Sequence, residues 1–399
     1  KLHKNPVATR GITACCGSPM DGIAKIVNAC LMALRPVMHA LWRDKCSEIG
    51  IFSDECWITS SGSEIIDIVR TANAAASSSL GPKYHHRFET FDFVAMYPNL
   101  PDANLQEVMF KLLESTFKYQ SQYGLQSIEL RWGYANDHTC PVAREASWSS
   151  KPPQPITTNS KSHVWVAHDT IFRWLKCVLN EGYVQFGPHM YRQTSGVFMG
   201  TSPAPELAND FGFWHEYEFL THMVNEYQQY GPGRYPFEFI SQYACSTKRY
   251  FDDIITVSLG HTIGPTLKDV ISQSGVFFGM YPTTVRDFDG SVRPTPISIV
   301  REQIGPSVHF LDMEIIQPLP GVCEVKMFDK RDNMPTLAAY RKFPHIETTI
   351  SVRCKYAVLH SQLCRFSYRC TERQHFIKAA ARLIREMYLQ GYDLKLLRR

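Results

Sequence analysis

Apolar residues recur at helical spacing in several stretches of the chain. After Pro19 they form one long stripe, which predicts a first helix; its members are Ile23, Ile26, Val27, Cys30, Leu31 and Leu34. The same spacing predicts helices over 53–74, 101–123, 168–181 and 203–230. A last helix is predicted from a capping box at Thr371–Gln374 to a stop at Gly391.

Strict alternation predicts strands elsewhere. In 87–96 it places Phe91, Phe93 and Ala95 on one face and turns Asp92 to the other, near the strand's end. Hairpins are predicted over 184–192 and over 247–259, and strands over 308–317 and 323–329. The stretch 134–162 has few large aliphatic residues and is rich in serine and proline, which predicts a mobile insertion. The mixture indicates the α+β class.

Composition adds limits to this pattern. Of 399 residues, 44% are apolar and 20% are charged, as in globular proteins. No uncharged apolar run reaches about 18 residues, so we expect no membrane-spanning helix and no membrane partner. The start, Lys1–Lys4, has no apolar core of a signal peptide. The first residue is not methionine, so we expect that an N-terminal domain is missing.

Twelve cysteines form no Cys-x-x-Cys pair, which favours free thiols in a reducing compartment. A zinc site near the C-terminus is the less favoured alternative; its residues would be Cys354, His360, Cys364, Cys370 and His375.

The net charge of +4 is unevenly distributed. Residues 1–45 carry +5 and residues 325–399 carry +10, so the centre of the chain carries −11. Basic ends that hold a polyanion, around a centre that holds divalent cations, would explain this pattern. Ordinary solvated surface is the alternative.

Three segments suggest chemistry: an aspartate pair, a glycine-containing loop and a basic N-terminal stretch. In the last of these, Lys1, Lys4 and Arg10 could contact triphosphate oxygens, or could be a solvated basic end.

Asp252 and Asp253 are adjacent carboxylates at a predicted hairpin tip, and their repulsion would be relieved by a divalent cation. With Asp92 they would form a three-carboxylate site for two Mg²⁺ ions about 4 Å apart, as in phosphoryl transfer. An ordinary pair of turn residues is the alternative.

Gly196 and Gly200 flank bulky residues just before a predicted helix. The two glycines would allow the backbone to approach a planar ligand closely. A plain loop before a helix is the alternative.

Taken in chain order, these segments resemble reverse transcriptases, most closely the Penelope-like retroelement branch, which is related to telomerase. The resembling segments are Lys1–Ile12 in the fingers, Phe91–Pro101 as motif A, Tyr191–Asn209 as motif B, Tyr250–Asp253 as motif C, Val308–Met313 as the following strand, and Phe343–Tyr392 as the thumb. Each motif is weak alone, and their order along the whole chain makes the resemblance specific. Gly11, Phe251 and the 134–162 stretch depart from the family pattern, and no endonuclease region follows Arg399.

The resemblance implies roles for single residues. Asp92 and Asp252 would bind both metal ions with the Phe93 carbonyl, and Asp253 would be the less strict second aspartate. The nucleotide-binding residues implied are Lys1, Lys4 and Arg10 on the triphosphate, Tyr97 as a steric gate against the 2′-hydroxyl, and Gln193 and Gly196 in the pocket. For Tyr97, an aromatic residue of the core is the alternative. The primer–template would be held by Tyr250, Arg365, Arg369, Arg373, Lys378 and Arg382.

The implied protein is a right-hand polymerase that copies RNA into DNA. Its expected parts are fingers (1–86), palm (87–133 and 163–332, with the insertion 134–162 between them) and helical thumb (333–399). Two Mg²⁺ ions, replaceable by Mn²⁺, are the expected cofactors. Expected partners are an RNA template, a DNA or RNA primer, deoxynucleoside triphosphates and a separate endonuclease, and the expected location is the nucleus. An RNA-templated RNA polymerase, a terminal transferase and a catalytically silent nucleic-acid-binding domain are the alternatives.

Overall fold

The computed structural model describes residues 18–79, 86–134, 141–154, 163–193, 195–259, 266–271, 279–282, 284–286, 290–295, 297–333, 342–393 and 395. Its helices are α1 Asp21–Ser47, α2 Ser63–Ser79, α3 Met96–Asn99, α4 Asp102–Ser121, α5 His168–Asn180, α6 Ala204–Tyr230, α7 Phe237–Cys245, α8 Leu267–Ile271, α9 Val352–Arg369 and α10 Arg373–Leu389. Its strands are β1 His86–Phe93, β2 Ser127–Tyr134, β3 Pro141–Ser149, β4 His163–Val166, β5 Tyr183–Phe186, β6 His189–Arg192, β7 Thr247–Tyr250, β8 Asp253–Leu259, β9 Thr284–Arg286, β10 Val292–Pro294, β11 Ile299–Gly305, β12 Ser307–Phe310, β13 Met313–Leu319 and β14 Val322–Met327.

A four-stranded antiparallel sheet in the order β11-β1-β8-β7 lies at the centre of the fold. Its two faces are both apolar. Phe91, Phe93 and Ile254 join a large cluster that includes α1, α4 and α6. Phe88 and Ile255 join a second cluster with α2 and the β12-β13-β14 sheet. Burial on both faces removes β1 and β8 from water and fixes their register, because a slip by one residue would reverse every side chain.

The helix α1 is central to the large cluster. The predicted stripe is confirmed, since Val27, Cys30, Leu31 and Leu34 are fully buried. Near the end of α1, Trp42 stacks on Tyr243 with ring centroids 6.0 Å apart. By length and composition α1 could also cross a membrane, and it is the one described helix of which this is true. Burial of its apolar residues within the protein core accounts for this composition equally well.

Most predicted elements are confirmed, including the helices at 101–123, 168–181 and 203–230 and the hairpins at 184–192 and 247–259. The second helix begins later than predicted, at Ser63. The first strand is shorter than predicted: it ends at Phe93, and Ala95 adopts a left-handed φ of 50° before α3. Alternation alone did not show this end because Ala95 continues the apolar period.

The expectation of a mobile insertion at 134–162 is wrong for the part that the structure describes. Strand β3 pairs along its whole length with β2, and β4 pairs with the other edge of β2. A single aromatic residue compensates for the scarcity of aliphatic ones: Trp148 packs on Phe117 with ring centroids 4.7 Å apart. Its indole N–H donates to the Ala33 carbonyl of α1 at 2.9 Å.

Two further predictions need correction. The strand predicted over 308–317 is a hairpin that turns at Leu311 and Asp312, where Leu311 has a left-handed φ of 56°. The predicted capping box at Thr371 does not form: the Thr371 hydroxyl accepts a bond from the Val325 N–H at 2.9 Å, and α10 begins without a side-chain cap. A tertiary partner on β14 has replaced the local one. Gly391, with φ of 84°, lies just beyond the end of α10 as predicted.

We predict that Trp148→Ala lowers the free energy of unfolding by about 2 to 3 kcal/mol, because it removes a partly buried ring and a hydrogen bond. Urea denaturation measures this effect. Tyr230→Ala, which removes an aromatic ring that is 71% exposed, is the matched control and should change stability little. Equal stability of the Trp148 variant and the native chain would contradict the claim that Trp148 packs β3 against the rest of the fold.

Candidate functional site

Two of the predicted carboxylates meet across the central sheet. Asp92 near the end of β1 is the direct cross-strand partner of Asp253 at the start of β8. The Phe93 N–H donates to the Asp252 carbonyl at 2.9 Å, so the turn that carries Asp252 is bonded to the same end of β1. The sheet thus brings Asp92 close to Asp252 and Asp253, although Asp92 lies far from that pair in the sequence.

The turn between β7 and β8 is tight. Tyr250 and Asp253 are paired across it, which leaves Phe251 and Asp252 as the two turn residues. Phe251 adopts a left-handed φ of 54°, a conformation that costs a non-glycine residue about 1 to 2 kcal/mol. The Tyr250 and Phe251 rings pack edge to face, with centroids 4.7 Å apart. This strained turn therefore persists because its surroundings hold it.

The site carries an excess of negative charge. The pKa of Asp253 is raised to about 7, chiefly because the carboxyl is buried and then because Asp252, Asp92 and Glu302 repel its charged form. Lys330 opposes the shift and lowers this pKa. A cation placed among these carboxylates would reverse the cost of ionising Asp253.

The donor set fits a hard divalent cation, since carboxylate oxygens are the ligands that Mg²⁺ prefers. In the described ranges no three His, Cys, Asp or Glu side chains stand ready-made as a metal cluster, so the fit rests on the paired strands and on the excess charge. The residues of the zinc alternative, Cys354, His360, Cys364, Cys370 and His375, are all described. Cys364 Sγ lies 3.6 Å from His360 Nε2, and His375 Nε2 lies 2.9 Å from Glu324 Oε2. The described cysteines are free thiols, as expected.

The loop before α6 is bonded to the segment that follows β1. The Val197 N–H donates to the Tyr97 carbonyl at 2.8 Å, and the Gly196 N–H donates to Oδ1 of Asp102 at 2.9 Å. Gly196 has a φ of 81°, and a Cβ there would lie 2.6 Å from the Pro98 carbonyl oxygen. Gly196 therefore allows a close approach to the protein backbone at Pro98. The sequence had suggested a close approach to a planar ligand instead.

The other predicted nucleotide residues are placed as follows. Tyr97 is partly buried and packs against the large core cluster. The Gln193 N–H donates to the Gly182 carbonyl at 3.0 Å, and its side-chain amide donates to the Ser195 carbonyl at 2.6 Å. Tyr97 and Gln193 therefore both lie beside the loop that precedes α6. Lys1, Lys4 and Arg10 lie outside the described residues.

Three of the predicted primer–template residues form ion pairs within the chain. Arg365 and Arg369 of α9 both pair with Asp312, in the turn between β12 and β13. Arg382 pairs with Asp332 at 2.7 Å and with Glu386 at 3.2 Å. Arg373 and Lys378 are exposed on α10, and Tyr250 is partly buried beside the second core cluster.

A cavity of about 320 Å³ opens beside Asp253. Its lining includes Glu302, His309 and Lys330, so both signs of charge face the space next to the carboxylates. The His309 ring stacks on Phe328 with centroids 3.7 Å apart.

Sequence reasoning missed Asp102, Glu302 and Asp312. Asp102 and Glu302 are not among the carboxylates of the three motifs. Asp312 was interpreted only as part of a strand. The sole sequence signal was the position of Asp102 directly after Pro101, at the start of a predicted helix.

No family model matches the chain, and no curated protein matches it. Among solved structures it is similar to telomerase from Candida albicans in complex with a fragment of telomeric RNA, with 15% identity and a TM-score of 0.47, over 94% of this chain and 47% of that one. It is also similar to apo telomerase from Candida tropicalis, with 13% identity and a TM-score of 0.45, over 94% and 50% of the two chains. The chain thus spans about half the length of these structures.

The raised pKa of Asp253 predicts a pH-dependent stability. A carboxyl whose pKa is higher in the folded state than in the unfolded state destabilises the fold increasingly as the pH rises from about 4 to about 7. Asp253→Asn removes this cost, so without metal its melting temperature should exceed that of the native chain more at pH 8 than at pH 4.5. Thermal melts at the two pH values measure the difference.

Addition of Mg²⁺ at pH 8 should then raise the melting temperature of the native chain more than that of Asp253→Asn. Glu347→Gln, at a side chain 86% exposed, is the control and should behave as the native chain at both pH values. A constant difference between the Asp253 variant and the native chain across this pH range would show that the carboxyl is not perturbed.

Gly196→Ala should lower the free energy of unfolding by roughly 2 to 5 kcal/mol, because the new Cβ meets the Pro98 backbone and the φ is left-handed. Gly124→Ala is the matched control: its φ of 76° is similar, and nothing lies within 4 Å of its Cβ. It should cost only about 1 to 2 kcal/mol. Equal losses in the two variants, measured by urea denaturation, would show that the contact with Pro98 is unimportant.

Proposed function

We propose that this chain is an RNA-directed DNA polymerase, which extends a primer 3′-hydroxyl with deoxynucleoside triphosphates by two-metal phosphoryl transfer. The observation that carries the proposal is the pairing of Asp92 with Asp253 across the central sheet, with Asp252 in the adjoining turn. Carboxylates on two neighbouring strands, in a site with excess negative charge, suit phosphoryl transfer assisted by divalent cations.

Asp92, Asp252 and the Phe93 carbonyl would hold the two Mg²⁺ ions, with Asp253 beside them. When bound, the ions supply activation of the primer hydroxyl and neutralisation of the charge on the departing pyrophosphate. In the reaction the primer 3′-oxygen forms a bond to the α-phosphorus, and the bond from that phosphorus to the pyrophosphate breaks. The chain contributes the fixed position of the carboxylates, which comes from the register of β1 and β8.

The nucleotide would lie against the loop before α6, where Val197 is hydrogen-bonded to Tyr97. Because the Tyr97 carbonyl is bonded to the Val197 N–H, the backbone of this residue is held in place. A ring held under the sugar would exclude a 2′-hydroxyl and so favour deoxynucleotides. Gln193 and Gly196 would line the same pocket, with Lys1, Lys4 and Arg10 on the triphosphate.

The nucleic acid would follow the basic C-terminal part of the chain, where Arg373 and Lys378 are exposed. In this proposal the fingers are residues 1–86, the palm is residues 87–133 and 163–332, and the thumb is residues 333–399. A Penelope-like retroelement, or a domesticated derivative of one, is the proposed origin, and the nucleus is the proposed place of action.

Primer extension on an RNA template with Mg²⁺ tests the proposal. The native chain should add deoxynucleotides, and Asp252→Ala should reduce extension by roughly 1000-fold. Asp67→Ala, at an exposed carboxylate of α2, is the matched control and should retain activity. Tyr97→Ala should narrow the preference for deoxynucleotides over ribonucleotides by about 10- to 100-fold.

Other outcomes would replace the proposal. Preferential addition of ribonucleotides by the native chain would indicate an RNA polymerase, and extension without a template would indicate a terminal transferase. A folded chain that binds primer–template without extending it would be a nucleic-acid-binding domain.

A further inference from the structure

A fully buried ion pair lies behind the Asp252–Asp253 turn. It joins Arg249, near the end of β7, to Glu216 on α6, and neither side chain is exposed. The guanidinium Nε donates to Oε1 of Glu216 at 2.5 Å, and Nη2 donates to Oε2 at 3.2 Å. Such a pair is weak evidence for stability, because the cost of removing both charges from water can exceed their attraction. Net stabilisation of the fold therefore does not by itself explain why this ion pair is present.

The remaining donors of Arg249 supply an explanation. Nη2 donates to the Asn209 carbonyl at 3.0 Å, and Nη1 donates to Oδ1 of Asn209 at 3.2 Å. Nη1 also donates to the carbonyl of Phe251 at 3.1 Å. One planar guanidinium therefore connects the α6 backbone to the turn residue that directly precedes Asp252.

The surroundings fix the guanidinium in this position. A Cβ at Gly212 would lie 2.5 Å from its Cζ and Nη2, so α6 leaves space for Arg249 only because residue 212 is glycine. On the far side of the pair, the Tyr281 hydroxyl donates to Oε1 of Glu216 at 2.9 Å. The Tyr243 hydroxyl donates to the Glu216 carbonyl at 3.0 Å.

The bond to Phe251 acts where the backbone is strained. Phe251 has the left-handed φ of 54°, and its carbonyl belongs to the peptide bond that leads into Asp252. The next carbonyl, of Asp252, accepts the Phe93 N–H of β1. Arg249 of β7, whose guanidinium is bonded to α6, and Phe93 of β1 thus hold two successive carbonyls of the turn.

We infer that Arg249 is a positioning residue, which holds the Asp252–Asp253 turn in place for cation binding through its bond to the Phe251 carbonyl. The inference rests on the proposed function for its purpose and on the buried contacts for its geometry. An apolar pair could fill the same volume, but it could not donate to Phe251. A lysine would keep the charge opposite Glu216, but its single ammonium lacks the planar fork that also reaches Asn209 and Phe251.

Arg249→Lys and Gly212→Ala test the inference in the full chain. The first removes the fork, and the second keeps Arg249 but displaces its guanidinium. In both, hydrogen exchange of the Phe93 amide, which reports on the bond to Asp252, should accelerate about tenfold relative to amides further along β1. The Kd for Mn²⁺, used as the probe cation, should rise about 10- to 100-fold, as is typical when a group that orients a metal ligand is lost.

Lys248→Met is the matched control. Lys248 is a second buried cation on β7, but it pairs with Glu55 at 3.1 Å and with the Cys56 carbonyl at 2.9 Å, away from the turn. Its loss should lower stability and leave Phe93 exchange and the Kd for Mn²⁺ unchanged. In primer extension, the Arg249 and Gly212 variants should need more Mg²⁺ for half-maximal rate, with an unchanged Kd for primer–template.

Native exchange at Phe93 and native Mn²⁺ affinity in the two variants would overturn the inference. If Arg249→Lys does not fold, Gly212→Ala decides by the same two readouts. If the native chain does not extend a primer, the proposed function is wrong, and Phe93 exchange still decides whether Arg249 positions the turn.

Discussion

The antiparallel pairing of β1 with β8 is the constraint on which the rest of the site depends. It places Asp92 opposite Asp253, and it does so in a sheet whose two faces are both covered by apolar side chains. Because burial on both faces fixes the register, the two like charges cannot separate by a slip of one strand. The fold therefore holds carboxylates together against their repulsion, which adds to the larger effect of burial in raising the pKa of Asp253.

Two supports from outside these strands complete the arrangement. The loop before α6 is bonded to the Tyr97 carbonyl and to the Asp102 carboxylate, both in the part of the chain that follows β1. The buried fork of Arg249 joins α6 to the turn between β7 and β8. The helix α6 and the segments beside it thus set both the loop assigned to the nucleotide and the turn assigned to the metal ions.

The sequence allowed the local parts of this arrangement to be predicted. The stripe of α1, the helix α6 and the turn at Asp252 follow from period, proline and turn chemistry, which act over a few residues. The long-range parts were not predictable. Strand β11, which pairs with the other edge of β1, alternates between partly buried and exposed positions and carries few apolar signals. Nothing in the local sequence marks Arg249, Glu216 or Asp312 as paired, because their partners lie far away along the chain. The basic excess near the C-terminus read as free charge, although Arg365 and Arg369 share one carboxylate.

The most direct test of the account is whether Asp92 and the Asp252–Asp253 turn form one cation site. Binding of Mn²⁺ to the native chain and to Asp92→Asn, followed by electron paramagnetic resonance at pH 8, measures this. We predict that Asp92→Asn weakens the binding of Mn²⁺ by at least about tenfold, which is the loss found even when a residue that only orients a metal ligand is removed. Unchanged Mn²⁺ binding in Asp92→Asn would contradict it, because the pairing of the two strands would then have no part in holding the ion.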